Sequence, residues 1–140
     1  MRRSDQFRRQ HQELQELAVE IGTHLRVEVL EQDASVCRRL VARFAGKLRV
    51  HAAMENDALY PELLRHDDPQ VRQLAERLVR ELGPVYEGFD AYEARWSSAH
   101  AISIEPRAFV VSTLETFEML RRRMATENKQ LYPVVDALVR

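Results

Sequence analysis

The chain has a single cysteine, Cys37, so it forms no internal disulfide. Four glycines and five prolines in 140 residues supply little turn chemistry, which disfavours loop-rich and many-stranded folds and leaves a helical one. No apolar run approaches the roughly 20 residues that a membrane span requires. No excess of one charge exists either: the net charge is -1, which gives no reason to expect a nucleic-acid partner. The early arginines Arg2, Arg3, Arg8 and Arg9 read as a solvated face. Met1-Arg2-Arg3-Ser4-Asp5 is followed by no apolar segment, so no signal peptide is expected. With the lone cysteine, this points to the cytoplasm. What the chain does have is 45% apolar and 31% charged residues, enough for one core-bearing domain over residues 1–140.

It also has a repeat. Glu55-Asn-Asp-Ala-Leu-Tyr-Pro61 returns as Glu127-Asn-Lys-Gln-Leu-Tyr-Pro133, matching at Glu, Asn, Leu, Tyr and Pro. The chain therefore reads as two related helical hairpins, each bringing a glutamate to an equivalent place. His51 precedes Glu55 by four residues, on one helix face and at metal-ligand spacing. The second copy has Arg123 at the position of His51.

Apolar periodicity predicts four helices. The first runs from about Ser4 to about Leu30, with the inner stripe Phe7, His11, Leu14, Ala18, Ile21 and Leu25. Asp33 or Ser35 caps the second, whose stripe is Val36, Leu40, Phe44, Leu48, His51, Glu55 and Leu59. Asp68-Pro69 starts the third, which carries Val71, Leu74, Leu78, Leu82, Val85, Phe89, Tyr92 and Trp96. Gly83-Pro84 falls inside it and predicts a kink or break, because Pro84 has no N–H for the Arg80 carbonyl. Ser97 to Pro106 reads as the longest loop. The fourth helix starts near Pro106, with stripe Val110, Leu114, Phe117, Leu120, Met124, Glu127, Leu131, Val134 and Leu138. Short connections between long amphipathic helices predict an up-down-up-down antiparallel four-helix bundle.

His11, His51, Glu55 and Glu127 are the polar interruptions of three apolar stripes, and antiparallel packing sets them at one level. A lone stripe histidine such as His11 is more often a satisfied core residue. Two carboxylates buried together, however, cost several kcal/mol per ion unless compensated. A divalent cation, protonation, or Arg123 one turn from Glu127 each meet that need. His24, His66 and His100 read as inert, Cys37 as a small buried residue, and Tyr60 and Tyr132 as packing residues.

A His on the first helix, His-x-x-x-Glu with Leu-Tyr-Pro on the second, and Glu-x-x-x-Leu-Tyr-Pro on the fourth resemble the hemerythrin-like HHE cation-binding domain. The resemblance runs from Phe7 to Val135. It implies a carboxylate-bridged di-iron centre that binds dioxygen or responds to iron or redox state. Carried onto this chain, one iron keeps His11 and His51, and both bridges remain as Glu55 and Glu127. The second iron loses its histidines: Arg123 stands on the fourth helix, and the third has none, reading Glu81-Leu82 at the family's Glu-His step with Tyr86 one turn on.

The expected molecule is thus a degenerate member with one metal site or none. Its ligands are His11, His51, Glu55 and Glu127, with Glu81 and Tyr86 as outer or replacement candidates and Arg123 as a substitute for the second metal. Iron, zinc and manganese all suit imidazole plus carboxylate. The resemblance makes a metal ion, and through it a small diatomic ligand, the expected partners. Nothing in the sequence indicates an oligomer. A metal-binding or sensing role ranks above a metal-free scaffold, and both rank above a mononuclear metal enzyme, since no substrate-recognition signature is present.

Overall fold

The structure is a computed structural model that describes residues 1–138. Among these residues there is no strand. The helices are α1 (Asp5–Gly22), α2 (Val27–Gln32), α3 (Ser35–Met54), a π-helical turn π1 (Glu55–Leu59), α4 (Tyr60–Leu64), α5 (Pro69–Arg95), α6 (Ala99–Ile104), α7 (Pro106–Thr126), a second π-helical turn π2 (Glu127–Leu131) and α8 (Tyr132–Ala137). The α3–π1–α4 segment runs on as one rod, as does α7–π2–α8. With α1 and α5 they make the helical bundle, in which α1 packs on α3 and α5 on α7. Along α5 and the α7–π2 rod, Tyr92 meets Thr113, Leu82 meets Arg123 and Arg77 meets Gln130, so partners descend on one as they rise on the other. No helix among the described residues is long and apolar enough to cross a membrane.

The expected start of the third predicted helix is found: Asp68 accepts from the Gln70 N–H at 2.9 Å ahead of Pro69. The start of α3 is corrected: its capping residue is Ala34, not Asp33 or Ser35, and Asp33 takes the Ser35 N–H at 2.9 Å from the residue before it. Three further expectations need correction. The first helix stops at Gly22 and does not reach Leu30; the chain turns there and forms the short α2. The stretch from Ser97 to Pro106 is not all loop, because Ser98 caps α6 by accepting from the Ala101 N–H at 3.1 Å. The two short helices close one end of the bundle, with Ser103 donating to the Leu30 carbonyl at 3.0 Å. Finally, α5 passes through Gly83-Pro84 as one helix, so of the kink or break expected there the break does not occur. Pro84 and Arg80 are both on the exposed side, where water can take the carbonyl that proline leaves without a donor.

The stripes are mostly as expected, with two rotations. Val36 and Leu114 are exposed, and Cys37 and Thr113 are buried in their stead. Thr113 turns in because its hydroxyl pairs with that of Tyr92 at 2.7 Å. The apolar core falls into two clusters. One centres on Phe44, Phe89, Phe109 and Trp96; the other contains Phe7, Leu63, Leu78 and Val135. Each long rod crosses from one to the other through a polar residue: His11 in α1, His51 and Glu55 in α3–π1, Tyr86 in α5, Arg123 and Glu127 in α7–π2. The functional candidates therefore form a polar layer that divides the core.

Candidate metal centre

The two repeated heptapeptides become the two π turns, and proline explains them. Pro61 and Pro133 have no N–H, and their rings crowd the carbonyl four residues back. The helix widens instead: the N–H of Tyr60 reaches the carbonyl of Glu55, and that of Tyr132 the carbonyl of Glu127, each five residues back. The wider π turn brings the residue five places on from its first residue round toward the same face. Glutamate and tyrosine thus both point inward. They then exchange between copies. Tyr60 donates to Glu127 Oε2 at 2.9 Å, and Tyr132 donates to Glu55 Oε2 at 2.8 Å. This reciprocity is what two related hairpins facing each other would give.

His11, His51, Glu55 and Glu127 are all buried, at 1% exposure or less. One ligand atom from each lies within 4.8 Å of the other three, close enough to serve one ion. His11 Nε2 and His51 Nε2 face each other at 3.0 Å; His51 Nε2 is 3.0 Å from Glu55 Oε2, and His11 Nε2 is 3.3 Å from Glu127 Oε1. The other ring nitrogens are engaged: His11 Nδ1 with Asn128 Oδ1 at 2.9 Å and His51 Nδ1 with Gln10 Oε1 at 2.6 Å. An amide oxygen accepts, so Nδ1 carries the hydrogen, and in a neutral imidazole Nε2 then presents a lone pair. Two lone pairs and two carboxylate oxygens converge on one point. Glu127 Oε1 is buried with no hydrogen-bond partner among the described residues. Such a set suits a positive centre, and Arg123 reaches only the other oxygens of the two carboxylates, Glu55 Oε1 and Glu127 Oε2. The donors fit one divalent ion, with the imidazoles oriented from behind as metal-bound histidines are.

The other oxygens of the two glutamates are engaged by protein donors. Arg123, also buried, donates through Nη2 to Glu55 Oε1 at 3.1 Å and Glu127 Oε2 at 3.3 Å, and through Nη1 to the Leu82 carbonyl at 2.8 Å. Its guanidinium lies 3.6 Å from the centre of the Tyr86 ring, a cation–π contact. Tyr86 itself donates to Glu55 Oε1 at 2.8 Å. The oxygens that would have bridged two metals are taken by arginine and phenol donors.

Burial pushes the Glu55 carboxyl up, but the bond and charge of His51 in its imidazolium form, then Arg123 and Tyr86, outweigh it and bring it down to about 2; the neutral imidazole that could ligate an ion supplies neither of the His51 contributions. Glu127 ends above the ordinary range, because burial and the charge of Glu55 outweigh His11 and Arg123. The three phenols are pushed up, chiefly by burial and then by the charge of the two buried carboxylates, and stay protonated as donors. The two glutamates therefore act oppositely on stability. The contribution of Glu55 is present above its ordinary 4.5 and is lost as pH falls toward about 2. That of Glu127 is present in acid and is lost as pH rises through its elevated value. Glu127→Gln, freed of metal, is accordingly expected to melt at or above the temperature of metal-free wild type at neutral pH. Thermal melts in chelator check this, and a clear drop would mean that the bonds to Tyr60 and Arg123 outweigh burial.

Of the residues singled out in the sequence, His11, His51, Glu55, Glu127, Tyr86 and Arg123 come together. Glu81 does not: its side chain is 51% exposed and pairs with Arg77 at 3.3 Å. Leu82 and Leu78 turn inward, which points the neighbouring Glu81 out to solvent. His24, His66 and His100 lie outside the cluster, and burial raises the Cys37 thiol to about 11. Four participants were not anticipated. Tyr60 and Tyr132 are packed, but their hydroxyls also hold the carboxylates, and their place in the repeat was the available signal. Gln10 and Asn128 orient the imidazoles; Asn128 lies in the repeat, whereas nothing but adjacency to His11 marks Gln10.

The family model described as the hemerythrin HHE cation binding domain matches residues 2–135. No curated protein and no solved structure gives a significant match. The matched span takes in both π turns, all four converging donors and the arginine beside them, and the chain belongs to the hemerythrin HHE cation-binding family.

Proposed function

We propose that the chain is a cytoplasmic metal-binding module that takes one divalent ion per molecule through His11, His51, Glu55 and Glu127, with Arg123 in the place of a second metal. The observation that carries this reading is the facing pair of Nε2 atoms at 3.0 Å, each imidazole fixed from behind by an amide oxygen. Iron is the proposed metal; zinc and manganese suit the same donors. A bound ion would supply a Lewis-acidic or redox-responsive centre. Around it, Gln10 and Asn128 hold the rings, Tyr60 and Tyr132 hold the carboxylates, and the two apolar clusters keep water out. Metal handling, or sensing of iron, redox state or a small diatomic ligand, fits a site so enclosed better than turnover of a larger substrate. Reversible dioxygen carriage is not proposed, since in the family it depends on two irons.

A second reading has its own support. Arg123 already compensates both carboxylates, as a metal-free scaffold would require. Elemental analysis of untagged protein decides between them. One ion per chain is the expected result. Two, with the visible absorption of an oxo-bridged pair, would overturn the role given to Arg123. None, after incubation with iron(II), zinc and manganese in turn, would leave the scaffold.

A further inference from the structure

We propose that Met54 is a positioning residue for the metal centre and, through the same contact, its site of modification by a hydroperoxide. The role rests on the metal reading above. Gln10 stands one place before His11 on α1 and reaches across to α3, where His51 and Met54 lie one turn apart. Both ends of its amide are used there. Its Oε1 accepts from His51 Nδ1 at 2.6 Å, and its Nε2 donates to Met54 Sδ at 3.1 Å. A thioether sulfur accepts and does not donate, so it takes the NH2 end of the amide and turns the oxygen toward His51. Without that acceptor the amide could rotate half a turn and present its NH2 to His51 Nδ1. A neutral imidazole would then carry its hydrogen on Nε2, the atom that faces His11 and Glu55 at 3.0 Å, and would have no lone pair to give an ion. Met54 therefore sets the useful tautomer of His51 through Gln10.

Sulfur also makes the contact oxidisable. Met54 is partly exposed, at the edge of the apolar cluster that contains Phe7. A sulfur lone pair attacks one oxygen of the hydroperoxide. An S–O bond forms, the O–O bond breaks, and the second oxygen leaves as water or an alcohol after taking the peroxide's proton. Sulfur is oxidised by two electrons and the peroxide reduced by two. The product is polar where the thioether was apolar, and its oxygen is a stronger acceptor that projects beyond the sulfur. Set toward Gln10, that oxygen drives the amide back. Set away from it, it leaves a partly positive sulfur against the N–H. Either way the 3.1 Å contact is lost, and with it the hold on the His51 ring.

The test treats the full chain with hydrogen peroxide in chelator, maps the products by peptide mass spectrometry and then titrates zinc, which is redox-inert. Met119, 51% exposed, and Met124, 6% exposed, bracket the expected rate: Met54 should oxidise more slowly than the first and faster than the second. Zinc affinity should fall about tenfold in step with Met54 oxidation, as the loss of a hydrogen bond behind a ligating histidine does. It should return on treatment with methionine sulfoxide reductase. Met54→Leu should bind zinc more weakly than wild type and lose no more on oxidation, while Met119→Leu should behave as wild type. In metal-free protein the His51 Nδ1 proton, held by Gln10 at 2.6 Å, should give a sharp NMR signal. Oxidation and Met54→Leu should each broaden it through exchange with water. Zinc affinity and a ring-proton signal that both ignore Met54 oxidation would overturn the proposal, as would sulfoxide that forms at Met54 only when the protein melts. A wild type that binds no zinc, iron(II) or manganese before oxidation removes the metal reading instead, and the ring proton then still decides whether Met54 holds His51.

Discussion

Arg123→Leu is expected to be the most damaging single substitution at the centre in metal-free protein, lowering stability by about 3–5 kcal/mol. The argument starts from desolvation. Glu55 and Glu127 have no exposure, and Arg123 is the only cation of fixed charge bonded to them among the described residues. Leucine fills part of the guanidinium's volume but leaves both carboxylates uncompensated. It also removes the donor to the Leu82 carbonyl and the face that stacks on Tyr86. Arg123→Lys is no cure, because one ammonium cannot reproduce a planar fork shared by Glu55, Glu127 and the Leu82 carbonyl. Arg123→His reads the same site from the other direction: it withdraws the fixed charge and adds a ligand, so metal uptake per chain should rise above that of wild type. Denaturant unfolding in chelator measures the stability loss, and elemental analysis the uptake. An Arg123→Leu protein as stable as wild type would mean that Glu127 is already protonated and that no fixed charge is needed.

Which of these residues could be read in the sequence follows from how each signal is encoded. His11, His51, Glu55 and Glu127 were legible because a polar residue in an apolar stripe violates periodicity, and periodicity survives in one dimension. Arg123 was legible by subtraction, against the repeat. The π turns were not, although their cause was in view: Pro61 and Pro133 were seen, but a helix can answer a proline by kinking, ending or widening, and local sequence does not choose among these. That choice set the inward turn of Tyr60 and Tyr132, and so hid their crossed bonds to the glutamates. Pro84 shows the same ambiguity resolved differently, since on the solvent side the helix simply continues. Glu81 is no part of the cluster because it lies about 100° round the helix from the inward-facing Leu82, a rotation that a motif read along the sequence does not show. The rotation of the fourth stripe toward Thr113 depends on the Tyr92 hydroxyl, a partner on another helix that no local pattern reveals.

His51→Ala is expected to abolish metal binding and to remove the effect of chelator on stability. His51 Nε2 stands 3.0 Å from both His11 Nε2 and Glu55 Oε2, so its loss takes the shared vertex out of the donor set. It also removes the largest influence holding the Glu55 carboxyl down, and the buried charge then has only Arg123, Tyr86 and Tyr132. In wild type, an ion that binds the folded state alone stabilises it by mass action, about 2.7 kcal/mol at a free concentration one hundred times the dissociation constant. Chelator should withdraw that increment from wild type and leave His51→Ala unmoved. The two proteins should therefore differ most in the presence of metal and converge, though not coincide, in chelator, where the uncompensated carboxylate remains. Gln10→Leu gives the intermediate case: it keeps the ligand but frees the His51 ring, and should weaken binding about 10–100-fold without abolishing it. Scanning calorimetry across a series of metal concentrations separates these outcomes. A wild-type melt indifferent to chelator and to added iron(II), zinc and manganese would remove the metal from this account and leave Arg123 as the ion that the site was built around.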